Sequence, residues 1–225
     1  MAPIPEPKLT ISSLIDAQHE RTAELPRPHM GASQLGHHCE RWLWLSFRWA
    51  VIEKFPGRIR RLFRRGHEEE KNFISDLKMI GVKFENHQEY IDFGGHVGGS
   101  TDGTIQSGVP GAERSRHVAE FKTHSGKSFA DLQKKGVKIS KPMHWAQVQL
   151  YMLGARIDRA LYVAVCKDDD QLYSERIHLN RIDAEFFLKR GKRLAKSERM
   201  PEPISTDPSW YQCKFCAAHS FCHTK

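Results

Sequence analysis

The sequence lacks long apolar runs. No stretch of 18 consecutive apolar residues occurs, so no segment of it reads as a membrane-spanning helix. The opening "MAPIPEPKLTISSLIDAQHE" has no apolar core behind a basic cap, which is what a secretory leader requires. A reducing cytoplasm, of a bacterium or of a phage-infected host cell, is therefore the expected compartment. No G-x-x-x-x-G-K-[ST] occurs, so nothing in the chain reads as an ATP-driven motor. There is no internal repeat and no low-complexity tract, which sets aside solenoids and disordered tails. Cysteine is sparse, with five in 225 residues, yet three of them fall in the short stretch "CKFCAAHSFC". In a reducing compartment, such clustering reads as metal ligation rather than as disulfides.

What is present suits a folded, soluble chain. Apolar residues make up 39% and charged residues 28%, and the length is enough for one sizeable core. The net charge of +8 favours an anionic partner, nucleic acid first. The surplus is concentrated in "RIRRLFRR" (58–65) and "KSFADLQKKGVKISK" (127–141). Within these, Arg61, Arg64, Arg65, Lys127, Lys134, Lys135, Lys138 and Lys141 are the candidate phosphate contacts.

Periodicity orders the chain. Residues 1–30 read as a loosely ordered lead-in with one short helix, and residues 31–225 as a single domain. Ser33 is a candidate N-cap before an aromatic-rich helix around Trp42–Trp49, and 58–80 form a second helix closed by Gly81. The period then changes to two. "VKFENHQEYID" and "HVGGSTDGTIQ" read as two strands joined through Gly94-Gly95, and "HVAEFKT" as a third. After the Lys-rich connection, Pro142 opens a helix through Ala155. "RALYVAVCK" and "QLYSERIHL" are further strands, 181–197 is a last helix, and "PEPISTDPSW" is an extended linker into the cysteines. The expected class is α/β, with a central mixed sheet flanked by helices.

The densest chemistry lies in "STDGTI…HVAEFKT". Strand residues two apart share a face, so Glu120 and Lys122 point one way and Phe121 goes into the core. Asp102, on the preceding strand, can lie beside Glu120. Two carboxylates about 4 Å apart repel by roughly 4 kcal/mol at an effective dielectric near 20, which a shared proton, the Lys122 ammonium or a hard cation must relieve. Carboxylate and carbonyl oxygens suit Mg²⁺ or Mn²⁺. On the helix "PMHWAQVQLYMLGA", Met143, Ala146, Leu150 and Leu153 form an apolar stripe. His144, Gln147 and Tyr151 lie on another face, which could point at the carboxylates.

Together, D102…E120-x-K122…Q147-x-x-x-Y151 resembles the PD-(D/E)XK nuclease superfamily, and in particular its RecB-like branch. Thr101 stands where the motif's proline would be. The resemblance implies a restriction-endonuclease-like core. It also implies a metal held by Asp102, Glu120 and the backbone carbonyl of Phe121, with Lys122 assisting the chemistry and Gln147 and Tyr151 orienting DNA. The family completes the metal site from an early helix, four residues after a glycine. In "RRGHEEEKNF" that position is Glu70, with His67 one turn earlier as the second candidate.

Cys166 sits inside an apolar strand and reads as a small buried hydrophobe. The remaining set, Cys39 with Cys213, Cys216 and Cys222, resembles the iron–sulfur members of the RecB-like branch, in which a [4Fe–4S] cluster joins the two ends of the domain. A zinc site drawing on His219 or His223 is the alternative on ligand chemistry alone. The resemblance implies a metal-dependent deoxyribonuclease, an exonuclease acting on single-stranded or end-containing DNA, alone or beside recombination, replication or CRISPR-adaptation proteins. The competing expectation is a catalytically inactive nucleic-acid-binding module with a zinc staple.

Overall fold

The structure is a computed structural model describing residues 9–21 and 27–223. Half of the expected lead-in is seen: helix α1 (Ile11–Arg21) is there, while residues 1–8 and 22–26 lie outside the described part. Among the described residues no helix is long and apolar enough to cross a membrane.

Two sheets carry the fold. The larger has the order β2 (Lys83–Asn86), β5 (Gly103–Ser107), β6 (His117–His124), β7 (Arg159–Cys166) and β8 (Leu172–His178). It is mixed: β6 and β7 are parallel and the other pairs are antiparallel. A parallel pair needs a crossover. Helices α4 (Gly126–Ser140) and α5 (Pro142–Ala155) supply it. The smaller sheet joins β1 (Met30–Gly31), β4 (Val97–Ser100) and β3 (Tyr90–Gly94).

Each of the two expected long strands is thus two short ones in different sheets. The break in the second falls at Thr101-Asp102, between β4 and β5. Alternation alone cannot reveal it, because the period-two pattern runs on through the point where the chain changes sheets.

Alternation along β6 and β7 splits the core. Val118, Tyr162 and Ala164 pack on the α4/α5 side, while Ala119, Phe121, Leu161 and Val163 pack on the other. There they meet helix α3 (Gly57–Met79), whose Phe73 stacks on Phe121 at 5.2 Å between ring centroids. Gly81, at φ +89, ends this region as the sequence suggests.

Three expectations need correction. The Lys-rich connection is a helix, α4, kinked at Gly136 (φ 70), where the Val137 N–H bonds Glu175 Oε2 at 2.9 Å. Helix α5 is not amphipathic: Ala146 through Met152 are all buried, because α4, α6 (Arg181–Lys196) and both sheets enclose it. The N-cap of the aromatic helix α2 (Glu40–Phe47) is Cys39, whose Sγ accepts the Trp42 N–H, while Ser33 lies in a separate 3-10 turn.

The chain's two ends are drawn together before any metal is considered. Buried Arg190 on α6 donates to the carbonyls of Leu35 and His38 and to Glu40 Oε1. Arg41 Nε donates to Pro201 O at 2.7 Å and Trp44 Nε1 to Ser197 O at 2.8 Å. These bonds carry the tail back across α2. Two short helices follow, α7 (Tyr211–Lys214) and α8 (His219–His223).

Candidate active site and cysteine pocket

The β6 register sets the site. Glu120 and Lys122 share the α5-facing side of the strand, and their side chains form an ion pair. Glu120 is fully buried, and its Oε2 has no hydrogen-bond partner among the described residues. Asp102 sits just before β5, where its Oδ2 accepts the Phe121 N–H at 2.7 Å. That bond fixes the Asp102 carboxylate at the edge of β6, next to Glu120. Burial raises the Glu120 pKa well above the carboxylate range. Lys122 opposes the rise, and Asp102 and Glu70 add to it. Burial also works against the Lys122 charge, but Glu120 and Asp102 outweigh it and hold that pKa above its ordinary value.

Glu70 reaches this group from α3. Burial raises its pKa, and the Asp102 charge is the next contribution. Gln88 Nε2 donates to its Oε2 at 3.4 Å. His67 is exposed, and its charge bears on Glu70 from outside. The Asp102 charge thus bears on both Glu120 and Glu70, and the two early-helix candidates separate by burial.

Gln147 and Tyr151 stand on α5 facing the same group, with Gln147 bonded to Tyr151. Burial and then the Glu120 charge raise the Tyr151 pKa. Gly99 makes room for the phenol: a Cβ there would lie 2.6 Å from the Tyr151 oxygen.

One neighbouring network joins His144, on the Gln147 side of α5, to three residues the sequence does not single out: Tyr162, His124 and Ser128. Tyr162, opposite Glu120 in the β6–β7 register, bonds both His124 Nε2 (3.1 Å) and His144 Nδ1 (2.9 Å) through its hydroxyl. Ser128 Oγ bonds His124 Nδ1 at 3.2 Å. The signal was available: Glu120, Lys122 and His124 continue one strand face, and His144 lies one turn before Gln147.

Burial and the nearby Lys141 and Lys122 charges lower the His124 pKa from 6.5 to about 4. The unfolded chain therefore takes up a proton near pH 6.5 where the folded chain does not. Stability is complete above pH 6.5 and falls as the pH drops towards 4, by about 3 kcal/mol from His124 alone. Urea unfolding at pH 7, 5.5 and 4.5 is expected to show the fall, and His124→Leu to make it shallower, with His144, whose pKa burial also lowers, supplying the rest.

The basic candidates divide. Lys127, Lys134, Lys135 and Lys138 are exposed on α4, with Lys135 paired to Asp131 and Lys138 to Asp183. Lys141 is largely covered, 3.8 Å from Asp131. Arg61 is paired with Asp16, Arg65 donates to the Lys167 carbonyl, and Arg64 is exposed.

The four clustered cysteines line one pocket, with His37, His219 and His223 also in its wall. All the cysteines are free thiols, and Cys166 is buried apart from this pocket in β7. Burial raises the Cys213 and Cys216 pKa values, and the charges of the other pocket thiols, Cys39 and Cys222, add to this. Thiols whose ionisation is opposed by burial and by their neighbours, as at Cys213 and Cys216, suit a shared cation. His223 Nε2 is buried without a hydrogen-bond partner among the described residues, which keeps a histidine ligand in play.

Among the described residues, no three His, Cys, Asp or Glu side chains are already arranged to hold a metal ion. The fit therefore rests on donor chemistry: an unpartnered carboxylate oxygen among acids at one site, and four thiols at the other.

No protein-family model matches the chain, and no curated protein sequence matches it. Solved structures do. The crystal structure of SSO0001 superposes with a TM-score of 0.53 at 15% identity, over 94% of this chain and 95% of that one. The LHK-Exo complex with dAMP gives 0.52 at 14% identity, over 80% of this chain and 89% of that one. LHK-Exo is described as an alkaline exonuclease from Laribacter hongkongensis, and a second structure of it gives 0.50. The chain has a restriction-endonuclease-like fold. In that fold, the mixed five-stranded sheet of this chain presents Glu120 and Lys122 at its centre, with Asp102 entering from the strand beside them.

Proposed function

We propose that the chain is a metal-dependent deoxyribonuclease that hydrolyses phosphodiester bonds in single-stranded or end-containing DNA. The observation that carries this reading is the buried Glu120 carboxylate, with one oxygen unpartnered and with Asp102, Glu70 and Lys122 around it. A buried acid among like charges is costly unless a cation is meant to join it. That one solved structure of similar fold is an alkaline exonuclease supports the reading.

Asp102, Glu120, Glu70 and the Phe121 carbonyl would hold Mg²⁺ or Mn²⁺. When bound, such an ion polarises the phosphate and makes its water a better nucleophile. Lys122 stabilises negative charge developing on the phosphate, and its pairing with Glu120 keeps it charged. Gln147 and Tyr151 position the strand. Water adds to phosphorus, the bond to the leaving oxygen breaks, and that oxygen takes up a proton. The exposed lysines of α4 supply phosphate contacts that depend on salt.

The tail would carry a metal staple, a [4Fe–4S] cluster on Cys39, Cys213, Cys216 and Cys222. The unpartnered His223 Nε2 favours zinc as the second reading of that pocket. DNA strands labelled at the 5′ or the 3′ end, single and double, decide the main reading. Cleavage is expected with Mn²⁺ or Mg²⁺ and is stopped by EDTA. Binding without cleavage under every metal condition would instead support an inactive nucleic-acid-binding module.

A further inference from the structure

A second cavity lies at the C-terminal end of α5. With a volume of about 460 Å³, it opens between the end of α5, the start of β7, the start of α6 and the loop before β6. It shares no residue with the carboxylate group. Four arginines line it: Arg116, Arg156, Arg159 and Arg181. Its apolar wall is Met152, Leu153, Ile157 and Leu179.

The arginines are unequally engaged. Arg116 forks onto Glu85 Oε2 at 2.8 and 3.0 Å, and Arg159 donates to Ser115 Oγ at 2.8 Å. These two are held in place. The guanidinium groups of Arg156 and Arg181 have no hydrogen-bond or ion-pair partner among the described residues. Asp158 is the one acid in the wall; it lies 3.9 Å from Arg159, and its side chain is 75% exposed, so water screens it. Arg181 begins α6, a 16-residue helix whose positive end adds to the field on that side. Arg156 is the left-handed C-cap of α5 (φ 56), its N–H bonded to the last carbonyls of the helix.

Guanidinium forks match phosphate oxygens, and an apolar wall beside them suits a base and sugar. The volume falls in the range of small-ligand pockets. We propose that this cavity is a second nucleotide-binding site, taking a phosphate-bearing nucleotide with its phosphate on Arg156 and Arg181 and its base against Met152, Ile157 and Leu179. A free mononucleotide and the terminal nucleotide of a strand present the same chemistry. The proposal does not depend on the catalytic reading.

The test uses the full chain without divalent cation, so that no cleavage occurs and the carboxylate group repels anions. Thymidine 5′-monophosphate, thymidine, inorganic phosphate and 5′-phosphorylated oligothymidylate are titrated calorimetrically. Thymidine 5′-monophosphate is expected to bind saturably, and more tightly than thymidine or phosphate alone. In the Arg156→Asn/Arg181→Glu variant its affinity is expected to fall about ten-fold or more, with an unchanged thermal midpoint. Asn tolerates the left-handed backbone, and Glu is favourable in the first turn of a helix, so the fold is kept. Arg181→Glu alone provides a second reading of the same loss. If the oligonucleotide weakens in parallel, a strand end is the natural occupant; if only the mononucleotide weakens, a free nucleotide is. Phosphate binding as tightly as the mononucleotide, or mononucleotide affinity unchanged in both variants, would overturn the proposal.

Discussion

Asp102→Asn is expected to lower Mn²⁺-dependent DNA cleavage by a factor of about 10² to 10³ or more, the scale on which losing one well-placed charge-stabilising group acts. It is a clean test because asparagine keeps the shape and keeps an oxygen to accept the Phe121 N–H, bonded at 2.7 Å. The fold should therefore survive. One negative charge beside Glu120 disappears, so the pressure raising the Glu120 pKa eases and the thermal midpoint should hold or rise. Lys122→Ala should also abolish cleavage, but for a mixed reason. It strips the buried Glu120 carboxylate of its partner, and an uncompensated buried charge costs about 3–5 kcal/mol. Activity and melting measured on both variants separate the two effects: Asp102→Asn should lose activity at full stability, Lys122→Ala both. Cleavage at the wild-type rate by Asp102→Asn would remove Asp102 from the site.

The residues of this site were legible because strand alternation is a strict rule. Glu120 and Lys122 had to share a face, and Phe121 had to enter the core; it does, stacked on Phe73. What the sequence hid was the helix beside them. Helix α5 reads as half polar, yet it is enclosed on all sides, and its glutamines are buried for reasons the pattern does not carry. Gln149 bonds the His178 carbonyl and the Asn180 N–H across two elements, while Gln147 turns to Tyr151. A buried polar side chain with a distant partner looks, in sequence, like a surface one. The change of sheet at Thr101-Asp102 was hidden for a related reason, since period two says which face a residue takes but not which neighbour its strand chooses. The α4 helix is hidden in the sequence because Gly136 and the lysines suggest a loop. Its buried Phe129, Leu132 and Val137 carry the helical signal.

Cys213→Ser is expected to release the tail's metal and to lower the thermal midpoint by about 10 °C or more. The stretch from position 39 to position 213 is about 170 residues, and closing a loop of that size removes roughly 5 kcal/mol of unfolded-state entropy in the chain-entropy model. For a chain of this size, each kcal/mol moves the midpoint by about 2–4 °C. The hydrogen bonds of Arg190, Arg41 and Trp44 already join α2 to the segment after α6 in the folded state, so the native geometry does not need the metal to bring the ends together. Those bonds vanish on unfolding, whereas a ligated clasp persists at least in part, and the difference is the stabilisation being tested. The thiols supply the second half of the argument. Burial and mutual charge keep Cys213 and Cys216 protonated when no cation is present, so metal uptake must release protons and should weaken as the pH falls. Cys166→Ser is the matching control, a buried cysteine in β7 outside the clasp, and should leave the metal content unchanged. Iron and zinc analysis of the wild type, Cys213→Ser and Cys166→Ser reads the clasp directly. A Cys213→Ser protein with wild-type metal content and melting would remove the staple, while zinc in the wild type with metal loss in His223→Ala would decide for the histidine-containing site.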